Sequence, residues 1–326
     1  MAPHEIQLDT YESGFYKYLL SDHADTNKKS EMKIVWRNVI LLTVLHIGAM
    51  HGLYLCVAQV MWTTFFFGLF NVIFAGLGIT AGAHRLWAHK SYKAKFPLRL
   101  LLVIMNSTAM QNSAIVWVRD HRMHHKYSET DADPHNSKRG FFFSHMGWLA
   151  VRKHPEIKAK RHTLDMNDLW SDPLLRFQYK YFAFLGALFG IAIPSYIPTL
   201  WGEKLENAFF VVGILRYVYS LHGTWLVNSA AHIWGMRPYD KTINPAENLL
   251  VSIICLGEGF HNYHHTFPWD YKTAELGNYT FNLTTLFIDV MAKIGWAYDL
   301  RSVTPDVIEN RVKRTGGRSH KTNAHE

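Results

Sequence analysis

Cysteine is nearly absent: Cys56 and Cys255 are the only thiols in 326 residues, and each sits in an apolar segment. This excludes a disulfide framework, a thiolate zinc site and an iron–sulfur cluster. The HExxH pattern of zinc proteases is missing as well. The opening MAPHEIQLDT lacks a basic start followed by an apolar core, so no cleaved signal peptide is expected. No repeat of fixed period is present. The formal net charge is +8, but no nucleic-acid motif accompanies it, which argues against a nucleic-acid partner. Most telling is a gap in charge: from Asn38 to Ala83 there is no Asp, Glu, Lys or Arg.

That gap is long enough for two membrane crossings of about 20 residues each. Met61-Trp62-Thr63-Thr64 offers the short polar turn between them, with an aromatic side chain at interface depth. A second apolar pair is joined by Trp201-Gly202-Glu203-Lys204. The crossings are expected at about 39–60, 64–83, 177–197 and 208–227. Lys180 and Arg216 fall in the second pair, where snorkelling or a polar cavity would accommodate them. The fold class is therefore an all-α integral membrane protein, two hairpins under a helical cap. Amphipathic segments from Leu98 to Met110 and Asn282 to Leu300 are expected to lie along the interface or complete that cap. Residues 1–37 read as an N-terminal segment, 38–310 as the membrane domain and 311–326 as a disordered basic tail. Lysine and arginine avoid the two hairpin turns except at Lys204, so both termini and the central region are expected on the cytosolic side. The first hairpin would target the chain to the endoplasmic reticulum.

Against this background, histidine is conspicuous. Eight imidazoles fall in three clusters: HRLWAH (His84, His89), HRMHH (His121, His124, His125) and HNYHH (His261, His264, His265). In the two HxxHH boxes the spacing i, i+3, i+4 puts all three imidazoles near one face of a helix, able to serve two adjacent metals. His84 ends the second expected crossing, and counting back by four gives Thr80, Gly76 and Val72, a stripe running from the metal into the bilayer. His232 follows the fourth crossing as His84 follows the second, with Asn228 one turn before it; spacing alone leaves its metal contact open. His46, His51 and His222 lie in expected crossings and read as packing or cavity residues. Eight or nine nitrogen donors exceed the four of a structural zinc site. Two metals with four to five imidazoles each leave coordination open for dioxygen, and iron is the imidazole-compatible metal suited to that chemistry. The residues point to a di-iron oxidase working on an apolar substrate. A histidine-rich metal transporter is the alternative of a different class.

Longer strings carry a more specific signal. GAHRLWAHKSYKA, WVRDHRMHHKYSETDADPHN, RGFFFSHMGWL, VRKHP, TWLVNSAAHIWG and GEGFHNYHHTFPWDY resemble the membrane acyl-CoA desaturases of the stearoyl-CoA desaturase family, insect members in particular, from about Arg37 to Leu300.

The resemblance implies two irons held by His84, His89, His121, His124, His125, His232, His261, His264 and His265, with Asn228 acting through water. It implies a reaction joining a long-chain fatty acyl-CoA, dioxygen and two electrons from cytochrome b5 and its NADH-dependent reductase to leave a cis double bond. Neither end resembles cytochrome b5, so the donor is expected to be a separate protein. Gln111, Trp117 and Thr224 correspond to the kink of an acyl tunnel, with Trp225 nearby, and Val72 and Gly76 to its closed end. Arg119, Asp120, Arg152 and Lys153, with Asn38 and Asn112, correspond to coenzyme A contacts. Ser113, Ile115 and Val116 depart from the vertebrate pattern, and INPAEN (Ile243 to Asn248) lies where insect relatives vary. The expected position is between carbons nine and ten; carbon eleven, as in pheromone precursors, and hydroxylation in place of desaturation are the alternatives.

Overall fold

The structure is a computed structural model that describes residues 32–275 and 279–317. In chain order its principal helices are α1 (Trp36–Ala58), α2 (Trp62–Ala88), α3 (Phe96–Ala109), α4 (Ala114–Tyr127), α5 (Phe141–His145), α6 (Pro173–Trp201), α7 (Leu205–Ile233), α8 (Leu249–Ile254), α9 (His261–Thr266), α10 (Leu283–Lys293) and α11 (Pro305–Thr315). Among the described residues α1, α2, α6 and α7 are long and apolar enough to cross a membrane. The molecule is an all-α membrane protein; among the described residues the only paired strands, isolated bridges aside, are the two-residue β1 (Lys93–Ala94) and β2 (Ala297–Tyr298).

Each spanning helix extends beyond the apolar window expected for it or is displaced from it. The helix continues wherever its backbone bonds continue, and its polar ends turn inward to partners instead of stopping at the lipid boundary. The outer face of α1 shows why no water-soluble arrangement fits: Val44, Ile47 and Met50 are each about 60% exposed or more, a surface that only lipid covers without cost. The two hairpin turns are tied together. Glu203 accepts from Met61 N (2.9 Å), and Trp201 Nε1 donates to Thr64 Oγ1 (3.0 Å).

Three features depart from expectation. The α3 segment, expected along the interface or in the cap, packs closely into the helix bundle: Leu98, Leu102 and Met105 are buried against α2, and a Cβ on Gly78 would come within 2.3 Å of the α3 backbone at Asn106. Only glycine permits that approach. The α3 and α4 axes then meet at 81° through left-handed Met110 (φ 54°) and Asn112 (φ 72°). Buried Gln178 holds this elbow, accepting from Ala114 N (2.9 Å) and donating to Asn106 Oδ1 (2.7 Å).

Arg216 neither snorkels nor faces a polar cavity. It is 2% exposed and donates to Thr108 O (2.9 Å), Val212 O (3.2 Å) and Gly190 O, so the C-terminus of α3 and the widely wound part of α6 supply the negative ends of their peptide dipoles. Lys180, by contrast, is exposed and lies over the Tyr181 ring. At the C-terminal end, Arg311–Thr315 complete helix α11 instead of beginning a disordered tail, with Ile308 buried on the Tyr239, Tyr263 and Phe267 cluster. Residues 1–31 and 318–326 of the expected terminal segments lie outside the described residues.

Candidate metal centre

Box one is positioned by an unusual winding. The last part of α2, Gly78–Ala88, is π-helical, and His89 N bonds to His84 O at 3.1 Å. In an α-helix a five-residue separation sends two side chains to different faces. Closing i→i+5 bonds brings them back together. The His84 and His89 rings consequently stand 4.8 Å apart, centroid to centroid.

The nine histidines gather into two groups, the donor nitrogens in each lying within 4.8 Å of one another: His84, His89, His121, His125 and His264 in one, His124, His232, His261 and His265 in the other. Both HxxHH boxes contribute to both groups. On α4, His121 and His125 go one way and His124 the other; on α9, His264 goes one way and His261 and His265 the other. The i, i+3, i+4 pattern works because one turn's offset points neighbouring imidazoles to opposite sides of a shared seam.

The proton inventory of these rings indicates a cation at each focus. Carboxylates fix three of them from behind: Glu258 lies 2.8 Å from His84 Nδ1, Asp133 3.0 Å from His124 Nδ1, and Glu129 3.4 Å from His232 Nδ1. A neutral imidazole donating from Nδ1 keeps a lone pair on Nε2. Yet His261 Nε2 faces both His232 Nε2 (2.9 Å) and His265 Nε2 (3.1 Å), and His264 Nε2 faces both His84 Nε2 (3.0 Å) and His125 Nε2 (3.0 Å). One N–H cannot serve two acceptors, so hydrogen bonding alone leaves lone pairs opposed, whereas a metal ion accepts them all. The donor set therefore fits two metals with nitrogen-rich coordination.

Electrostatics agree. Burial first, then neighbouring imidazoles, push His89, His121, His125, His261, His264 and His265 well below the ordinary histidine value, which keeps them in the neutral, ligating form. Burial acts against the carboxylates behind the rings. Even so, Arg85 and His84 hold Glu258 at about 2, and His124 and His135 hold Asp133 at about 2. Arg85 is wholly buried and bonds to Glu258 (2.9 Å), Thr285 Oγ1 (2.9 Å), Asn282 Oδ1 (3.1 Å) and the Tyr271 carbonyl (2.8 Å), locking α2 to α10 beneath box one. Local sequence reading passes over these carboxylates, although Asp133 stands in DADPHN and Glu258 in GEGFHN, strings quoted above for their overall resemblance.

A cavity of about 790 Å³, open mouth included, runs from the histidines into the helix bundle. His84, His121, His124 and His261 line its head, Asn228 stands beside them, and Val72, Gly76, Thr80, Gln111, Trp117 and Thr224 line its walls. The expected stripe below His84 faces this space. Trp117 stacks on His121 with centroids 4.8 Å apart. Polar groups on the wall are occupied elsewhere: Ser220 Oγ donates to Arg216 O (2.9 Å), Thr224 Oγ1 to Ser220 O (3.4 Å) and Cys255 Sγ to Gly223 O (2.9 Å). The surface left facing inward is apolar. Tyr219 of α7 also lines the cavity, as do Ile254, Cys255 and Leu256, which were not foreseen because α8 and the turn after it carry no pattern of their own.

Other expected residues fall elsewhere. Trp225 does not line the cavity; its ring lies between His46 (6.4 Å), His145 (5.7 Å) and His222 (5.1 Å), and His222 bonds to both other imidazoles. Arg119, Asp120 and Lys153 come together, Asp120 lying 3.0 Å from Arg119 and 2.5 Å from Lys153. Arg152 is exposed beside them. Asn38 donates to Leu149 O (2.8 Å), and Asn112 is an exposed residue of the elbow.

The comparisons with known proteins agree with this arrangement. Residues 59–277 match the family model described as fatty acid desaturase. The chain is 57% identical over 289 residues to an acyl-CoA Delta-9 desaturase of Acheta domesticus, covering 88% of this chain and 80% of the relative. It is 55% identical to an acyl-CoA Delta(11) desaturase of Trichoplusia ni (87% and 81% covered) and 53% identical to an acyl-CoA desaturase of Ovis aries (90% and 82% covered). With four membrane-spanning helices, two metal-ready histidine groups and an apolar cavity beneath them, the chain belongs to the fatty acid desaturase family.

Proposed function

We propose that this protein is an acyl-CoA desaturase that places a cis double bond in a saturated long-chain fatty acyl-CoA, with carbons nine and ten as its position. The observation that carries the reading is the seat of two histidine groups at the head of a largely apolar cavity. The overall reaction takes acyl-CoA, dioxygen, two electrons and two protons to the monounsaturated acyl-CoA and two waters. Iron is the metal proposed, the five-histidine and four-histidine groups each holding one ion and Asn228 completing the smaller set through water. Bound there, the two irons would supply dioxygen activation and oxidation of an unactivated C–H bond.

The chain's own residues supply position. An extended acyl chain entering along Trp117 and Gln111 would bend at Thr224 and descend past Thr80 and Gly76, which brings one pair of carbons under the histidines. The Ser220 and Thr224 hydroxyls, already bonded to their own helix, offer water little along the wall below the histidines. At the open end, the cluster of Arg119 and Lys153 around Asp120, with Arg152 beside it, would meet the phosphates of coenzyme A. Cytochrome b5 and its reductase are the electron source proposed. The basic central region and termini support an orientation with the histidine cap on the cytosolic side of the endoplasmic reticulum.

Expression in a desaturase-deficient yeast, with mass spectrometry of fatty acids after double-bond derivatisation, tests this reading. A new monoene is expected, its position read in the same spectrum. Hydroxylated acids alone would replace the desaturase reading with a hydroxylase.

A further inference from the structure

One wall of the cavity is made by a strained turn. Leu256 is 8% exposed and holds φ +57°, a left-handed conformation that a bulky side chain rarely takes, and Gly257 follows at φ +114°. Such strain persists only where the surroundings over-determine it. Here the Leu256 carbonyl accepts from both Thr284 N (3.1 Å) and Thr284 Oγ1 (2.9 Å), and Thr284 Oγ1 also reaches Thr80 Oγ1 at 2.8 Å, one turn from His84. A Cβ on Gly257 would fall 2.4 Å from Asn282 Oδ1, so this position too is fixed from outside. The turn therefore presents two side chains two residues apart. Glu258 goes to His84 and Arg85, and Leu256 goes to the cavity, where a methyl on Gly76 would come within 2.7 Å of Leu256 Cδ1.

Gly76 lies eight residues before His84 on α2, roughly 10 Å along an axis that rises 1.5 Å per α-helical residue and less where it is π-wound. Val72 lines the cavity one turn further on. Leu256 thus packs directly on Gly76, and the two form one stretch of wall between the histidine head and the far end of the cavity. We infer that Leu256 is a specificity-determining residue: it sets the width of the passage to the Val72 end, and with it the length of acyl chain accepted beyond the reacting carbons. This rests on the desaturase reading. Because the same turn carries Glu258, the depth gauge and the support of the His84 ligand share one rigid frame.

The test uses the full chain in desaturase-deficient yeast, scoring the ratio of C18 to C16 monoenes with immunoblotting for protein level. One methylene in an apolar pocket is worth roughly 10-fold or more in discrimination. Leu256→Phe is expected to lower the C18 to C16 ratio at least tenfold. Gly76→Ala, whose methyl would displace the Leu256 side chain into the bore, should move it the same way, and adding Leu256→Ala to Gly76→Ala should restore it to within threefold of wild type. The Gly76→Ala pair decides the matter should Leu256→Phe fail to accumulate. A ratio within twofold of wild type in the single variants that make product, or a Gly76→Ala shift that Leu256→Ala does not relieve, overturns the inference. No monoene from the wild-type chain would instead overturn the desaturase reading on which it stands.

Discussion

Asp133 offers the most direct test of the candidate metal centre without replacing a proposed ligand. Its two oxygens lie 3.0 Å from His124 Nδ1, one accepts from Glu129 N (2.9 Å) and the other from His135 N (3.1 Å), and the side chain has no exposure to solvent. Asp133→Asn keeps the shape but leaves one acceptor oxygen where there were two. A backbone N–H then loses its partner, which costs about 1–3 kcal/mol of fold stability. His124 also loses the anion that orients its ring and raises its basicity, and such outer partners are worth roughly 10–100-fold in metal affinity. Because the His124 donor belongs to the four-histidine group and not to the other, the loss should fall on one ion of the pair.

Purified protein equilibrated against a graded series of chelators, with metal counted by mass spectrometry, reads this as two release steps in wild type. In Asp133→Asn one step should move by one to two decades of chelator strength while the other stays. Thermal unfolding in detergent reports the stability term separately. Two unshifted release steps in a folded Asp133→Asn protein would refute the argument that the carboxylate tunes its ligand. A joint shift of both would refute the assignment of His124 to one group.

Three further outcomes are expected. Glu258→Gln should cost about 3–5 kcal/mol of fold stability, more than Asp133→Asn, because it leaves the buried Arg85 cation without its carboxylate, and a chemical or thermal melt measures both. Replacing Arg216 by Met removes a cation but leaves Thr108 O and Gly190 O without their donor, so a loss of about 1–3 kcal/mol is expected in the same melt; a more stable variant would show that desolvation of the guanidinium outweighs its bonds. The metal-free protein should lose stability on acidification. His89, His261, His264 and His265 are depressed below their ordinary value of 6.5, so the unfolded chain binds protons that the folded chain refuses. Their contribution is fully present above about pH 6.5 and falls below it by up to about 1.4 kcal/mol per pH unit for each group. Melting midpoints at pH 7.5 and 5.5 that coincide would contradict this.

Sequence by itself determined whatever is local. An uncharged stretch from Asn38 to Ala83 is enough to require membrane helices, because no other environment covers that much apolar surface while a helix satisfies its own backbone. Histidines at i, i+3 and i+4 declare a common helix face, so the capacity of HRMHH and HNYHH to hold metal was legible from spacing, and the stripe Val72, Gly76, Thr80, His84 could be counted off, though not that it lines a cavity. His232 was half legible, since it has no box of its own.

Tertiary structure decided what depends on pairs distant in the chain. The division of nine imidazoles into five and four follows from how α4 and α9 face each other, and the π-winding that unites His84 with His89 begins at Gly78, where α3 packs against the helix. Glu258, Asp133 and Glu129 became partners of His84, His124 and His232 only when the chain brought them together across separations of 174, 9 and 103 residues. The bent elbow of α3 and α4, the burial of Arg216 among carbonyls, the turning of Trp225 away from the cavity and the Leu256 turn on its wall belong to the same class. A hydrophobic pattern states how much of a segment must leave water, but which neighbour receives it is a matter of packing, and packing is settled by the whole chain at once.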